Sequence, residues 1–157
     1  MELVKSIVWI FLNIAFPILP IAIVYLRLKL IYTESKHLKI YQFIARHDGL
    51  TLYASLLSIV SLLQPIFYLL SEPNLLGSLS KQKQNSLIFL IIFLIFVFIL
   101  TFSFYCFLLD RNIDIESLYS DKNEFDDEQE RMLALTIVAL TISAISGSFM
   151  VKLINLG

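Results

Sequence analysis

Carboxylate side chains form the densest group of chemically active residues in this sequence. The segment from Asp110 to Arg131 holds nine of them against three basic side chains, so that its formal net charge is −6. Neighbouring carboxylates act as general acids and bases when burial raises the pKa of one of them, and they bind Ca²⁺ when they follow the EF-hand spacing. Here the carboxylates are expected to be bathed in water, and the next glycine is the distant Gly147. They therefore predict neither an acid–base catalyst nor a calcium site.

Apolar residues alternate with these carboxylates, and this mixture is typical of a surface that docks a protein partner. The residues predicted to contact such a partner are Asp126, Asp127, Glu128, Glu130, Tyr119 and Phe125. Two plainer interpretations stay open. The segment is a solvated loop, or its acidic run begins the fourth helix, where carboxylates accept backbone N–H groups and Asp126 stands at capping-box spacing from Gln129.

The other residue types that carry chemistry are sparse. His37 and His47 are ten residues apart and have no zinc-ligand spacing, and we interpret both as surface residues. Cys106 stands among Phe and Leu, where a thiol is inert. No nucleophile–base pair and no glycine-rich phosphate loop is present in the sequence. We therefore predict a protein that is not an enzyme and that has no catalytic residue, no cofactor and no metal site.

Composition shows which elements must position these residues. The chain has 157 residues, of which 58% are hydrophobic and 16% charged, and its mean hydropathy is +0.81. A bilayer core about 30 Å thick is crossed by about 20 apolar helical residues. The sequence therefore predicts an all-α integral membrane protein with four transmembrane helices, short loops and no independent soluble domain. The predicted spans are residues 6–26, 49–71, 86–109 and 132–151, none of which contains an Asp, Glu, Lys, Arg or His.

The basic residues predict how the chain is oriented. Residues 27–48 and 110–131 together carry eight Lys and Arg, against four in the remaining segments outside the spans. The positive-inside rule therefore places both long loops in the cytoplasm and both termini on the opposite side of the membrane, which is the periplasm in the case of a bacterial inner membrane. The formal net charge of −1 gives no reason to expect direct nucleic-acid binding.

Small and helix-breaking residues predict contacts between the helices. Helices associate in lipid at small residues, and we expect packing at Ala139, Ser143 and Gly147 of the fourth helix and at Ser55 and Ser58 of the second. These faces join helices of one subunit or join subunits of a homo-oligomer; alternatively, their hydroxyl groups line a water path.

Two prolines interrupt the first predicted helix. Pro17 and Pro20 remove backbone donors and predict a kink, and Asn13, one turn before Pro17, is placed to add a side-chain hydrogen bond.

In overall build, the chain resembles the small membrane subunits of the Kiwa bacterial anti-phage defence system (KwaA). The resemblance covers the whole chain as architecture: the length, four helices, minimal loops and no enzyme motif. It implies a non-enzymatic inner-membrane oligomer that senses disturbance of the envelope and scaffolds a cytoplasmic, DNA-binding effector (KwaB-like). Alternative functions are a small oligomeric pore or holin-like channel, and a membrane protein of the colicin-immunity type.

Overall fold

The structure, a computed structural model, describes residues 1–31, 39–111 and 127–154, and the regular structure in these ranges is helical. The elements are α1 (Glu2–Ile10), a π-helical turn (Phe11–Ala15), α2 (Phe16–Ile31), α3 (Ile40–Arg46), α4 (Gly49–Ser71), α5 (Leu75–Ser78), α6 (Lys81–Arg111) and α7 (Asp127–Ile154). Four stretches are long and apolar enough to cross a membrane: Glu2–Arg27, Gly49–Ser71, Lys81–Leu109 and Glu128–Ile154. The predicted all-α membrane fold is confirmed.

The outer surface of these helices is apolar. Phe67 is 63% exposed, Phe89 70% and Leu135 70%, and they belong to three different spans. Soluble monomeric proteins rarely expose so much apolar surface to water. Lipid tails are themselves apolar, so the same side chains are well solvated in a bilayer.

Three helices, α4, α6 and α7, form the core of the bundle. In α7 one side of the helix is buried, and steps of four and three residues alternate along it: Glu130, Ala134, Ile137, Thr141, Ala144, Ser148 and Val151. In α6 a similar row contains Leu87, Leu90, Leu94, Val97, Thr101 and Leu108. Alternating steps of three and four keep a row of side chains on one face of a helix, as in left-handed helix packing.

The hydroxyl groups of this core are used inside the bundle. Ser61 of α4 and Ser148 of α7 are hydrogen-bonded through their hydroxyl oxygens at 2.7 Å. Ser58 and Thr101 donate instead to backbone carbonyls one turn earlier in their own helices. These four hydroxyl-bearing residues are buried among the described residues of the bundle.

The first transmembrane segment lies against this core and contributes no buried residue to it between Glu2 and Ala15. Pro17 has no N–H to give to the carbonyl of Asn13, and the hydroxyl group of Tyr53 in α4 donates to that carbonyl instead. The Asn13 side chain donates to the carbonyl of Trp9 at 3.0 Å, as expected from the sequence. The π-helical turn ends at Ala15, two residues before Pro17, and the hydrogen bond from Tyr53 to Asn13 fixes this part of the segment to α4.

Candidate functional site

A buried ion pair closes one end of the bundle. Arg46, the last residue of α3, donates from Nη2 to Glu130 Oε1 at 3.1 Å, and the second carboxylate oxygen lies at 3.5 Å. The Arg46 side chain is 7% exposed and that of Glu130 is 2% exposed. A single buried charge would be very costly, whereas a close pair offsets much of that cost. The pair therefore fixes α3 to the start of α7, and we call this end of the bundle the α3 end.

Short-range interactions explain why α3 forms at this position. The backbone N–H of Lys39 donates to Gln42 Oε1 at 3.0 Å, which caps the first turn of the helix. Phe43 is buried and packs against Tyr25 of α2, with ring centroids 5.1 Å apart. The Arg131 guanidinium lies 5.1 Å from the Tyr41 ring, a second contact between α3 and α7. Because α3 is held on both sides, it places Arg46 opposite Glu130.

The turn from α3 to α4 depends on a half-buried histidine. The N–H of Gly49 donates to His47 Nδ1 at 3.1 Å, and the His47 ring stacks on Phe43 with centroids 4.8 Å apart. Burial lowers the pKa of His47, and the neighbouring Asp48 opposes this shift only in part. A Cβ at position 49 would lie 2.7 Å from His47 Cε1, so a side chain here would displace the His47 ring. His47 is thus a partly exposed residue, as the sequence predicts, but its ring also accepts a backbone N–H of the first turn of α4.

The predicted partner-binding residues fall into three groups. Tyr119, Phe125 and Asp126 lie outside the described residues, and Asp127 begins α7. Glu128 is exposed at the α3 end. Glu130 is buried by its ion pair with Arg46, so its carboxylate faces the bundle instead of a partner. The cause is simple, because Glu130 falls on the buried face of α7, two residues after the exposed Glu128.

The predicted packing residues are also divided. Ser55 and Ser58 lie buried in the core of α4. Along α7, Ala139 is exposed, Ser143 is partly buried, and Gly147 is buried. A Cβ on Gly147 would lie 2.7 Å from Leu94 Cδ2 of α6, so this glycine packs within the chain. Steps of four residues drift around a helix by about 40° each, and the row predicted in α7 therefore leaves the buried face.

Sequence reasoning missed a second buried cation, at the opposite end of the bundle. Lys152 Nζ is buried and has no hydrogen-bond acceptor among the described residues. It lies 5.7 Å from the Trp9 ring of α1 and 5.9 Å from the Phe149 ring. The two rings are themselves in contact, with centroids 5.5 Å apart. A lysine near the end of a transmembrane helix commonly extends toward the membrane interface, so its position along the chain gave no signal for this aromatic contact.

The chemistry available at these positions is electrostatic. Within residues 1–31, 39–111 and 127–154, no group of three or more His, Cys, Asp or Glu side chains is arranged to hold a metal ion. No protein-family model, curated protein or solved structure matches this chain. The function must therefore be argued from the α3 end itself, where Arg46 of the basic segment 27–48 meets Glu130 of the acidic segment 110–131.

Proposed function

We propose that this chain is a non-enzymatic membrane protein that docks a soluble partner protein at its α3 end. The observation that carries the proposal is the buried Arg46–Glu130 ion pair. It joins the segment 27–48, with five basic and two acidic residues, to the segment 110–131, with its excess of six acidic residues. Two loops of opposite charge on one face of the membrane give a partner both signs of charge to recognise.

The location of the remaining acidic residues supports docking better than catalysis. Glu130 is neutralised by Arg46, but Glu128 is exposed at the membrane-proximal end of the acidic segment. Exposed carboxylates attract a basic surface over about 10 Å at moderate salt concentration, and they fix its orientation more than its affinity. Docking of this kind needs no soluble domain in the membrane protein, because the partner supplies the folded surface.

The proposal extends to a biological setting through the resemblance in build. In this setting, the chain is an inner-membrane subunit of a bacterial anti-phage defence complex. It forms a homo-oligomer, senses disturbance of the envelope and scaffolds a cytoplasmic effector of the KwaB type. The four membrane-crossing helices support the membrane location, and the clustered carboxylates support a cytoplasmic partner with a basic surface.

Charge neutralisation tests the docking site. The variant Asp126→Asn/Asp127→Asn/Glu128→Gln retains Glu130 and its ion pair, and it is co-expressed with the proteins encoded beside this chain. We expect a partner that is recovered with the wild-type chain at low salt to be recovered much less with the variant, and the difference to shrink as salt is raised. The control is Glu2→Gln/Glu72→Gln, which removes two charges from the other end. Equal recovery with wild type, control and variant would contradict the proposal.

A further inference from the structure

A groove runs along the lipid-facing side of α6 and α7, at the end of the bundle that carries α5. It consists of two adjoining depressions of about 870 Å³ and 440 Å³. Both are lined by Ser86, Leu153 and Ile154, so they form one continuous surface. The groove is distinct from the α3 end and is not used by the proposed docking function.

The two parts of the groove differ in chemistry. The smaller part is lined by Ser80, Gln82 and Lys83 at the beginning of α6. The larger part is mostly apolar and is lined by Phe89, Phe93 and Gly147 among others. A polar, positively charged mouth therefore leads into an apolar trough.

The length of the groove matches one leaflet of a membrane. Phe93 follows Lys83 by ten residues of a continuous helix, which corresponds to about 15 Å along the helix axis. Half of a hydrocarbon core about 30 Å thick is also about 15 Å. The mouth then lies at the level of the headgroups when the trough lies at the level of the acyl chains.

The electrostatics at the mouth favour an anion. Lys83 supplies a positive charge, and Ser80 accepts the N–H of Lys83 at 3.4 Å, so this is the first turn of α6. The N-terminal end of a long helix carries a partial positive charge and unpaired N–H groups, which attract phosphate. Three features thus coincide here: a cation, a helix N-terminus and the open end of an apolar groove.

Small residues line the α7 side of the trough. Ser146 is exposed there, whereas Gly147 is buried, and a Cβ on Gly147 would meet Leu94 and Phe93 of α6. Phe89 and Phe93 stack at 6.4 Å and form the opposite wall on α6. A larger side chain at position 146 would enter the trough without meeting the helix core.

We infer that this groove binds one anionic phospholipid, with its phosphate at Lys83 and an acyl chain along Gly147. The polar mouth and the leaflet-length trough both correspond to parts of this ligand. An apolar helix of a second copy would fill the trough but would offer no anionic group to Lys83 at the mouth.

Native mass spectrometry of the full chain in mild detergent tests this inference, with phosphatidylglycerol and phosphatidylcholine as the probes. We expect the wild-type chain to retain one phosphatidylglycerol molecule and to prefer it over phosphatidylcholine by about fivefold, the contribution of one lysine near a headgroup. Lys83→Gln should remove the preference and retain lipid binding. Ser146→Phe should remove the bound lipid of either type.

Matched controls separate the site from the general lipid coat. Lys81→Gln removes a neighbouring charge that does not line the groove, and Ala139→Phe adds the same ring to another exposed position of α7. Both controls should bind lipid as the wild type does, and circular dichroism checks that every variant is folded. Equal lipid retention by wild type and Ser146→Phe, or no preference in the wild type, would overturn the inference. A wild-type dimer that Ser146→Phe dissociates would also overturn it, because the groove would then hold a second chain.

Discussion

Two cations are buried at opposite ends of this helix bundle, and they are held in different ways. Arg46 at the α3 end is paired with Glu130 of α7, whereas Lys152 near the other end of α7 lies against the rings of Trp9 and Phe149. Glu130 and Lys152 are 22 residues apart on one helix, which is about 33 Å and close to the full thickness of a bilayer core.

The ion pair and the cation–π contacts join different elements of the bundle. The ion pair joins α3 to α7, and its strength depends on both partners being present. The cation–π contacts join the first transmembrane segment to α7, and aromatic rings hold an ammonium group with less energy and less directional preference. We therefore expect the α3 end to be the rigid end, and the other end to tolerate substitution.

The largest effect is expected from breaking the ion pair. Arg46→Met or Glu130→Leu alone removes one half of the buried ion pair, which should lower the free energy of unfolding by about 3–5 kcal/mol. The double variant Arg46→Met/Glu130→Leu removes both charges and should recover most of this loss. Thermal unfolding in detergent, followed by circular dichroism, measures all four members of the cycle. Additive losses in the double variant would show that the two side chains do not depend on each other.

A smaller effect is expected from overfilling the packing between the two ends. Gly147→Leu places a side chain against Leu94 and Phe93 of the same chain and should cost about 1–3 kcal/mol. The yield of folded protein should fall as a result. Ala139→Leu introduces the same side chain at an exposed position of α7 and should leave the yield unchanged. If Ala139→Leu instead dissociates an oligomer, the exposed part of this helix joins subunits.

The turn at the α3 end should make stability depend on pH. Burial lowers the pKa of His47 in the folded state, so the unfolded chain binds a proton more readily than the folded chain does. The resulting stability is complete above the ordinary pKa of about 6.5 and is lost as the pH falls through the folded-state value. Melting temperatures between pH 7.5 and pH 5 should therefore decline, and His47→Asn should reduce the decline. A wild-type melting temperature that stays constant between pH 7.5 and pH 5 would contradict a stabilising role for neutral, half-buried His47.

The smallest effect is expected at Lys152. The contribution of its cation–π contacts is about 1–2 kcal/mol. Loss of hydration opposes this contribution, because the buried ammonium group has no hydrogen-bond acceptor among the described residues. Lys152→Met preserves the apolar stem and should change the free energy of unfolding by less than about 1 kcal/mol. A loss as large as that of the single ion-pair variants would remove the distinction between the two ends.

The sequence was sufficient to predict the membrane fold, because long apolar windows without charge fit few structures besides transmembrane helices. It was not sufficient to predict the packing face of α7. The prediction followed small residues at steps of four, but the buried face alternates steps of four and three and includes the large Ile137. The row of residues from Glu130 to Val151 at alternating steps of four and three could have indicated the buried face from the sequence. The same row contains Glu130, which forms the ion pair.

The contacts between segments that are distant in the sequence could not be predicted from local sequence patterns. Arg46 and Glu130 are 84 residues apart, and each stands in a charged segment where many partners were available. Only the position of α3 against α7 selects this pair. Likewise, Lys152 approaches Trp9 only because the first transmembrane segment lies beside α7. Such pairings follow from the arrangement of helices and not from spacing along the chain.

Site-specific photocrosslinking in living cells tests the central claim, that the α3 end docks a cytoplasmic partner, most directly. A photoreactive phenylalanine analogue replaces Tyr119 in the acidic segment in one variant and Gly77 of α5, which has open space around it, in another. The account predicts that position 119 forms a covalent adduct with a soluble cytoplasmic protein, and that position 77 does not. No adduct at position 119, or the same adduct at both positions, would contradict it.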